Sequence, residues 1–370
     1  LIHDIAKGRK EDHSIAGAKI ARQLCPRLGF SKARTELVAW LIEEHLTMSL
    51  TAQSRDLSDR KTIETFAAAA QNMDRMRYLL ILTVCDIRAV GPGVWNGWKG
   101  QLLRTLYYET EPLLTGGFSK INQAGRVAAA KEELSQILSN WDEDEKKKLL
   151  DLHYDPYFLS TPIENQIRHM DLLREAKQKG ELISTQVHTK EFEAITEINV
   201  LTPDHPKLLS IIAGACSAAG ANIVDAKIHT TRDGRALDSI FINREHDKNK
   251  DEIRRANKVC KNIRDALTGD LPFKQLFAPN TRAKRVSKAF SIPPNIQINN
   301  DLSDAFTVIE VQCLDRPGIL SDITYTISEL NLNIGSAQIA TFGEKVIDSF
   351  YVTDLLGDKI KLESRQLKIV

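Results

Sequence analysis

The segment Asp-His-Pro-Lys-Leu-Leu-Ser at residues 204–210 returns as Asp-Arg-Pro-Gly-Ile-Leu-Ser at residues 315–321, at an offset of 111 residues. Further matches, with a one-residue gap before the last, are Asn222-Ile223 with Asn333-Ile334, Ala226 with Ala337, and Asp238-Ser239 with Asp348-Ser349. Self-similarity at a fixed offset indicates repeated supersecondary units. The carboxyl-terminal half of the chain is therefore an internal duplication.

Each copy changes from strand-like alternation to helical spacing and back to alternation. The predicted order is strand (residues 194–201 or 308–314), helix (208–219 or 319–330), and two strands around a turn at Asp233-Gly234 or Gly343-Glu344. A second helix at residues 251–267 gives the first copy, residues 191–278, a ferredoxin-like βαββαβ arrangement. The second copy, residues 305–370, stops before its last strand, so we expect a truncated carboxyl end. The linker at residues 279–304 has a basic run and Pro293-Pro294.

The region before the duplication is predicted to be helical. Apolar residues recur at helical spacing in residues 15–24, 36–45 and 62–89, which predicts an all-α domain over residues 1–120. Residues 121–190 are predicted to form a helical connector with a solvated charged run. Because the chain opens on Leu1 in what resembles a helix already under way, with no methionine, we expect it to begin inside a domain.

Composition restricts the classes of function. Fifty Lys and Arg residues balance 49 Asp and Glu residues, so no broad positive field favours nucleic acid or an anionic membrane. The five cysteines are scattered and form no C-x-x-C pair, which is typical of reduced thiols in the cytoplasm. The longest apolar run, residues 78–85, is far shorter than the roughly 20 residues that span a bilayer. We therefore expect a cytoplasmic protein that acts on small molecules or proteins.

Imidazole and carboxylate groups recur along the helical region, and together they predict a metal site. The five residues are His3, Asp4, His13, His45 and Asp86. Asp86 lies near the end of a strongly apolar helix, where an unpaired buried carboxylate is costly, so it needs a cation. A salt bridge to Arg88 or Arg75 is the alternative. A ligand set without thiolate suits Mn, Fe, Mg or Zn at a hydrolytic site, and we predict Mg²⁺ or Mn²⁺.

Residues near this set are candidates for substrate contacts. Lys7 is one helical turn beyond His3 and is predicted to reach a phosphate oxygen, unless it is merely a solvated lysine. Trp95, Trp98 and Lys99 follow a Gly-Pro-Gly turn and are predicted to contact a ring of the substrate, although large aromatics after a turn often only pack.

The run His3-Asp4-Ile5-Ala6-Lys7, with His13, His45 and Asp86, resembles the HD phosphohydrolase superfamily. Residues 86–99, Asp-Ile-Arg-Ala-Val-Gly-Pro-Gly-Val-Trp-Asn-Gly-Trp-Lys, resemble the uridylyl-removing domain of the bifunctional uridylyltransferase/uridylyl-removing enzymes of nitrogen regulation. The resemblance continues through residues 104–107 and His153-Tyr154 into both repeats.

This resemblance implies roles for the residues of the predicted metal site. His3, Asp4 and Asp86 would hold a first metal together with a histidine upstream of Leu1. His13 and His45 would serve a second metal, with Asp4 as a possible bridge. Lys7 and His13 are the predicted catalytic residues, and Arg88 joins Trp95, Trp98 and Lys99 as a predicted substrate contact.

The duplicated unit resembles the ACT domain, an amino-acid-binding regulatory fold, and the family implies glutamine as its ligand. In the second copy we expect Asp315 to cap the helix, Pro317 to occupy its first turn, and Gly318 to let backbone N–H groups approach a carboxylate. In the first copy Lys207 replaces that glycine, so binding there is less secure. The loops alternatively serve only capping and packing. The predicted glutamine contacts are Asp315, Arg316, Pro317, Gly318, Ile319, Asn333 and Ile334, with Asp204, His205, Pro206, Asn222 and Ile223 in the first copy.

The leading hypothesis is hydrolysis of uridylyl-tyrosine on the PII signalling protein, which releases UMP under glutamine control. The full-length relatives also transfer UMP from UTP to PII, but these 370 residues contain no nucleotidyltransferase motif. A guanosine tetraphosphate hydrolase also combines HD and ACT domains, and residues 95–99 argue against that alternative. A third hypothesis is an amino-acid-binding regulator without catalytic activity.

Overall fold

The computed structural model describes residues 2–91, 94–116, 123–205, 207–271, 292–342 and 345–370. The chain forms two compact units, Leu1–Lys120 and Ile121–Val370. Several residues with predicted roles lie outside the described residues: Pro92, Gly93, Pro206, the turn at Gly343-Glu344, and residues 279–291, the first half of the predicted linker. Among the described residues, no helix combines the length and the apolar character that crossing a bilayer requires.

Unit 1 is all-helical, as predicted. Its helices are α1 (His13–Arg27), α2 (Lys32–Glu43), α3 (Thr47–Ser54), α4 (Arg60–Ala70), α5 (Met73–Val90) and α6 (Gly97–Leu114). Met48, Phe66, Met76, Leu79 and Leu106 are almost fully buried in its main core. This core holds the helices on which the candidate site depends.

Residues 62–89 lie in two helices, because Gln71 has a positive φ of 66° and the Asn72 side chain caps α5 by accepting from the Arg75 N–H. One expectation for unit 1 is wrong. His3 to Gly8 forms successive turns instead of a helix, with Lys7 N–H donating to the Asp4 carbonyl at 2.9 Å. Gly8, at a φ of 89°, adopts the left-handed conformation that favours glycine.

Unit 2 starts with four helices and continues into the duplicated region. The helices are α7 (Gln123–Ile137), α8 (Glu143–Leu150), α9 (Asp155–Ser160) and α10 (Ile163–Lys179). The first repeat comprises β1 (Ser184–Lys190), β2 (Ile195–Pro203), α11 (Leu208–Ala218), β3 (Ile223–Lys227), β4 (Arg235–Asn243) and α12 (Asn249–Thr268). The second comprises β5 (Asn295–Asn299), β6 (Thr307–Leu314), α13 (Ile319–Glu329), β7 (Leu332–Phe342), β8 (Lys345–Asp354) and α14 (Glu363–Gln366).

The eight strands in the described part of the chain form one antiparallel sheet in the order β1-β2-β4-β3-β7-β8-β6-β5. The two repeats meet where β3 pairs with β7 and Ala226 lies opposite Ala337. On one face of the sheet, helices α11, α12 and α13 contribute to a core that both repeats share. On the other face, Leu201 and Leu237 pack with helices α7 to α10. The predicted all-α region followed by two α+β repeats is confirmed.

Strands β1 and β5 are absent from the sequence-based prediction. They fall within the segments predicted to be a helical connector and a linker, respectively. β1 pairs with β2, and β5 pairs with β6, so each repeat receives its outer strand from the residues that precede it. Ser184 and Asn295, the first residues of these strands, are again 111 residues apart, which extends the duplication towards the amino terminus.

Candidate metal centre and regulatory loops

The His3 and Asp4 side chains are presented by a turn, and the other members of the predicted metal site by three separate segments. His13 is the first residue of α1, which Asp12 caps by accepting from the N–H groups of Ser14 and Ile15. His45 lies in the turn between α2 and α3, and Asp86 lies in α5. Residues from distant parts of unit 1 therefore meet at one place.

Asp4 is the central member of this group. Its Oδ1 lies 3.7 Å from His13 Nε2 and 3.8 Å from His45 Nε2, and its Oδ2 lies 3.8 Å from His3 Nε2. Burial alone would raise the pKa of Asp4, but the hydrogen bond from Lys7 Nζ at 2.8 Å and the neighbouring positive charge lower it overall. Asp4 is therefore a carboxylate at neutral pH.

His45 is held as a neutral imidazole with a defined tautomer. Its side chain is 1% exposed, and burial lowers its pKa. Its Nδ1 lies 2.7 Å from the Ile42 carbonyl oxygen, which can only accept, so Nδ1 carries the proton. The lone pair of Nε2 is left on the side that faces Asp4.

Asp86 joins the group through His3, since its Oδ1 lies 3.1 Å from His3 Nε2. The predicted alternative pairing with Arg75 or Arg88 is not among the ion pairs of the described residues; Arg75 lies over the Trp40 ring and bonds to Gln71. The expected deep burial of the Asp86 carboxylate is wrong, because its side chain is 27% exposed. Its position beside His3, and not burial, supports a role as a ligand.

This arrangement fits a divalent cation. Ligand atoms of His3, Asp4 and His45 all lie within 4.8 Å of one another. The separations of 3.8 Å from Asp4 to His3 and to His45 are within the roughly 4.4 Å that two bonds of about 2.2 Å to one ion can span. The Nε2 lone pair of His45 and the Asp4 carboxylate face each other without a shared proton, which is unfavourable unless a cation lies between them. His3 Nδ1 is also buried without a hydrogen-bond partner.

The predicted substrate contacts have varied environments. Lys7 is 72% exposed beside the group, and Arg88 is also exposed. Trp95 packs against the core of unit 1 and lies close to Gly100, and Trp98 is half-buried. Lys99 Nζ donates to the Val94 carbonyl at 2.9 Å, and burial lowers its pKa. Packing in the core of unit 1 accounts for the position of Trp95. Contact with substrate stays a prediction for all five of these residues.

Two corresponding loops, 204–207 and 315–318, carry the predicted ligand contacts of the repeats. In the first, Asp204 accepts from Thr230 Oγ1 at 3.2 Å and His205 Nδ1 accepts from the Lys207 N–H at 3.2 Å. In the second, Gly318 at a φ of 82° is itself the N-cap of α13.

The predicted capping of α13 is therefore wrong. No side chain caps this helix, so Asp315 does not have that role, and Pro317 precedes the N-cap instead of occupying the first turn. Burial raises the pKa of Asp315, and the Arg316 backbone N–H partly opposes this. Arg316 forms an ion pair with Asp322, and Ile319 begins the helix.

The predicted partnership between loop 315–318 and Asn333-Ile334 is also wrong. Leu314 pairs with Lys345 at one end of β8, whereas Asn333 pairs with Thr353 at the other end. Because β3 and β7 are antiparallel, Asn333-Ile334 lies at the end of the sheet that carries loop 204–207. For the same reason, Asn222-Ile223 lies at the end that carries loop 315–318. Each loop thus shares its end of the sheet with a segment of the other repeat.

Comparison with known families agrees with this geometry. Residues 1–89 match the family model of the HD domain, and residues 196–260 and 307–364 match that of the ACT domain. The chain has an HD domain followed by two ACT domains. We found no solved structure that matches the chain. The HD domain indicates a metal-dependent phosphohydrolase, and His3, Asp4 and His45 form the candidate group for the ion.

Sequence reasoning missed a buried polar network between α9, α10 and the first ACT domain. His169 bonds to Tyr157 Oη at 3.1 Å and to Ser239 Oγ at 2.9 Å, and Glu197, which is fully buried, bonds to Arg168 at 2.8 Å. Burial lowers the pKa of His169 to about 4, so this imidazole is neutral. The sequence did contain one indication of this network: the polar residues Glu197 and Asn199 occupy alternate positions of an inner strand.

Sequence reasoning also recognised Asp238 and Asp348 as repeated residues without assigning them a role. They occupy corresponding positions on β4 and β8, and each is 1% exposed. Among the described residues neither carboxyl group has a side-chain partner, and the backbones of His229 and Ala340 only partly oppose the rise in pKa that burial causes at Asp238 and Asp348, respectively. Such buried carboxyl groups at corresponding positions of both ACT domains require an explanation.

Proposed function

We propose that the HD domain hydrolyses the phosphodiester of uridylyl-tyrosine on the PII signalling protein and that glutamine binding to the ACT domains controls this activity. The observation that carries the proposal is the convergence of His3, Asp4, His13, His45 and Asp86. The resemblance of residues 86–99 to the uridylyl-removing domain supports the choice of substrate.

In this proposal His3, Asp4 and His45 would hold a divalent ion, Asp86 would join the set from its position beside His3, and His13 stays outside the ligand set. Such an ion lowers the pKa of a bound water and neutralises charge on phosphoryl oxygens. The residues of the chain orient the substrate around this group, and no protein nucleophile is required.

Lys7 and His13 are the residues proposed to assist the reaction. Lys7 is held beside Asp4 but is 72% exposed, so its ammonium group can turn towards a non-bridging phosphate oxygen. His13, 28% exposed, can give a proton to the departing tyrosine oxygen when the P–O bond breaks and water supplies the new P–O bond. The products are UMP and an unmodified tyrosine.

The decisive variant is Asp86→Asn, which keeps the size of the side chain but removes its charge. The matched control is Asp74→Asn, because Asp74 lies on the same helix, is 79% exposed and pairs only with Arg77. We expect Asp86→Asn to lose bound Mn²⁺ and to slow UMP release from uridylylated PII by more than about 100-fold, with Asp74→Asn unchanged. Chromatography measures UMP, and atomic emission measures the metal.

Two results would contradict the proposal. UMP release at the wild-type rate in Asp86→Asn would remove Asp86 from the ligand set. Hydrolysis of guanosine tetraphosphate in place of uridylylated PII by the wild-type protein would assign the HD domain to the alternative substrate class.

A further inference from the structure

Gly17 lies where three segments around the metal centre meet. It is buried on α1, and a Cβ atom at this position would lie 3.6 Å from the His3 carbonyl oxygen, on the turn that presents His3 and Asp4. The same atom would lie 2.8 Å from Ile42 Cγ2 on α2. Ile2, which precedes the turn, and Ile42 both pack in the small core between α1 and α2. The turn and α2 therefore approach the same point of α1.

Ile42 connects this point to a candidate ligand of the metal centre. Its carbonyl oxygen accepts from His45 Nδ1 at 2.7 Å, and this hydrogen bond directs His45 Nε2 towards Asp4, with 3.8 Å between Nε2 and Asp4 Oδ1. Metal-binding histidines commonly use such a bond to a backbone carbonyl to fix the orientation of the ring. Because His45 is buried and only three residues beyond Ile42, a displacement of Ile42 would move the imidazole with it.

The side chain of Ile42 cannot make room for a methyl group at Gly17. Its Cγ2 is bonded directly to Cβ, and a β-branched side chain in a helix has one strongly preferred χ1 rotamer. Ile42 is also 2% exposed, so its neighbours enclose it. Ordinary contacts between carbon atoms are roughly 3.5 to 4.0 Å long, so the backbone of α2 would have to move by about 0.7 Å or more at Ile42.

The turn on the other side of Gly17 would not be displaced. A Cβ atom would be in ordinary contact with the His3 carbonyl oxygen at 3.6 Å and with Ile5 Cγ2 at 3.7 Å. The added methyl group would therefore push α2 away from the turn. The 3.8 Å between Asp4 Oδ1 and His45 Nε2 is only about 0.6 Å less than the roughly 4.4 Å that two bonds to one ion can span, so a displacement of this size would remove the margin.

We propose that Gly17 is a positioning residue of the metal centre: because it has no side chain, α2 packs closely enough against α1 for His45 and the turn that carries Asp4 to bind the same ion. Gly17 is not itself a ligand and acts through Ile42. A purely structural role would cost stability alone, whereas this role requires a loss of metal affinity in a protein that remains folded. The inference rests on the proposed metal centre of His3, Asp4 and His45.

The affinity of the folded whole chain for Mn²⁺ tests this role. We expect Gly17→Ala to weaken Mn²⁺ binding by about 10- to 100-fold, the usual effect of residues that orient metal ligands. Electron paramagnetic resonance measures free Mn²⁺, and circular dichroism at the same temperature establishes that each variant is folded. The matched control is Gly100→Ala on α6, where a Cβ atom would lie 3.1 Å from Trp95 Cζ2, and its Mn²⁺ affinity should equal that of the wild-type protein.

A second substitution separates positioning from general destabilisation. Leucine has about the volume of isoleucine but no Cγ2 atom, so Gly17→Ala/Ile42→Leu should recover the Mn²⁺ affinity of Ile42→Leu alone. Unchanged affinity in Gly17→Ala, an equal loss in Gly100→Ala, or a loss that Ile42→Leu does not reverse would overturn the inference. If Gly17→Ala does not fold, the double variant decides by the same comparison: an affinity below that of Ile42→Leu overturns the inference, and an equal affinity supports it.

The wild-type protein distinguishes failure of this inference from failure of the proposed function. If it binds Mn²⁺ but does not release UMP from uridylylated PII, the proposed function is refuted and the role of Gly17 stands on the Mn²⁺ affinities. If it binds no Mn²⁺, both are refuted.

Discussion

Replacing Asp348 by Asn should change how the stability of the ACT pair depends on pH. Burial raises the pKa of Asp348 from an ordinary 3.8 to about 7, with a smaller contribution from Asp315 that is opposed by the Ala340 backbone. Because the pKa is higher in the folded than in the unfolded state, the favourable effect of the proton is complete below about pH 4 and is lost as the pH rises through 7. Asparagine has no such titration.

The size of the effect follows from the two pKa values. Each unit of difference corresponds to about 1.4 kcal/mol, so between pH 5 and pH 8 the wild-type protein should lose about 2 to 3 kcal/mol more of its free energy of unfolding than Asp348→Asn. The relative stability of the variant therefore rises with pH. The Asp348 side chain is almost fully buried, so solvent screening reduces this value little.

Hydrogen exchange measured by mass spectrometry is the suitable assay, because it reports the opening free energy of β8 separately from unit 1. Peptides covering Lys345–Asp354 are compared between the two proteins at pH 5 and pH 8, after correction for intrinsic exchange rates. The reasoning would be refuted if the opening free energies of β8 in Asp348→Asn and in the wild-type protein differed by the same amount at both pH values. Such a result would mean that Asp348 is paired or solvated in solution.

Three other predictions concern stability. Glu197→Ala should lower the free energy of unfolding of unit 2 by roughly 3 to 5 kcal/mol in urea titrations, because Arg168 loses its buried partner; a loss below 1 kcal/mol would show that the pair is solvated. Gly17→Ala should destabilise unit 1 by about 1 to 3 kcal/mol, since the new methyl group would lie 2.8 Å from Ile42 Cγ2, and an unchanged Tm would contradict this contact. Mn²⁺ should raise the Tm of the wild-type protein, reversibly with a chelator, but not that of Asp4→Asn; equal shifts would place the ion elsewhere.

The duplication allowed most of unit 2 to be predicted. The strands that enter the core were recognisable because their apolar residues either alternate with polar residues or form a continuous run. β1 escaped prediction since its sequence, Ser-Thr-Gln-Val-His-Thr-Lys, has one apolar residue, Val187, which lies opposite Ile198. An outer strand needs little apolar surface. The extended conformation of β1 depends on its pairing with β2, which the sequence of β1 does not indicate.

In unit 1 the sequence identified which side chains come together but not the backbone that presents them. His3 and Asp4 were predicted on a helix and lie on a turn, because helical spacing is poorly defined in a segment of so few residues. The distances from Asp4 to His13 and His45 depend on how α1 and α2 pack, which no local pattern encodes. The roles of these residues as ligands stay predictions.

The pairing of β3 with β7 has a consequence for any shortened form of this protein. In the whole chain each of these strands protects the backbone hydrogen-bonding groups of the other, and α11 and α13 cover each other's inner faces. A protein cut between the repeats would expose an unpaired strand edge together with an apolar helix face, a combination that promotes self-association. A separated repeat would therefore be expected to form a homodimer in which a second copy occupies the place of the missing repeat.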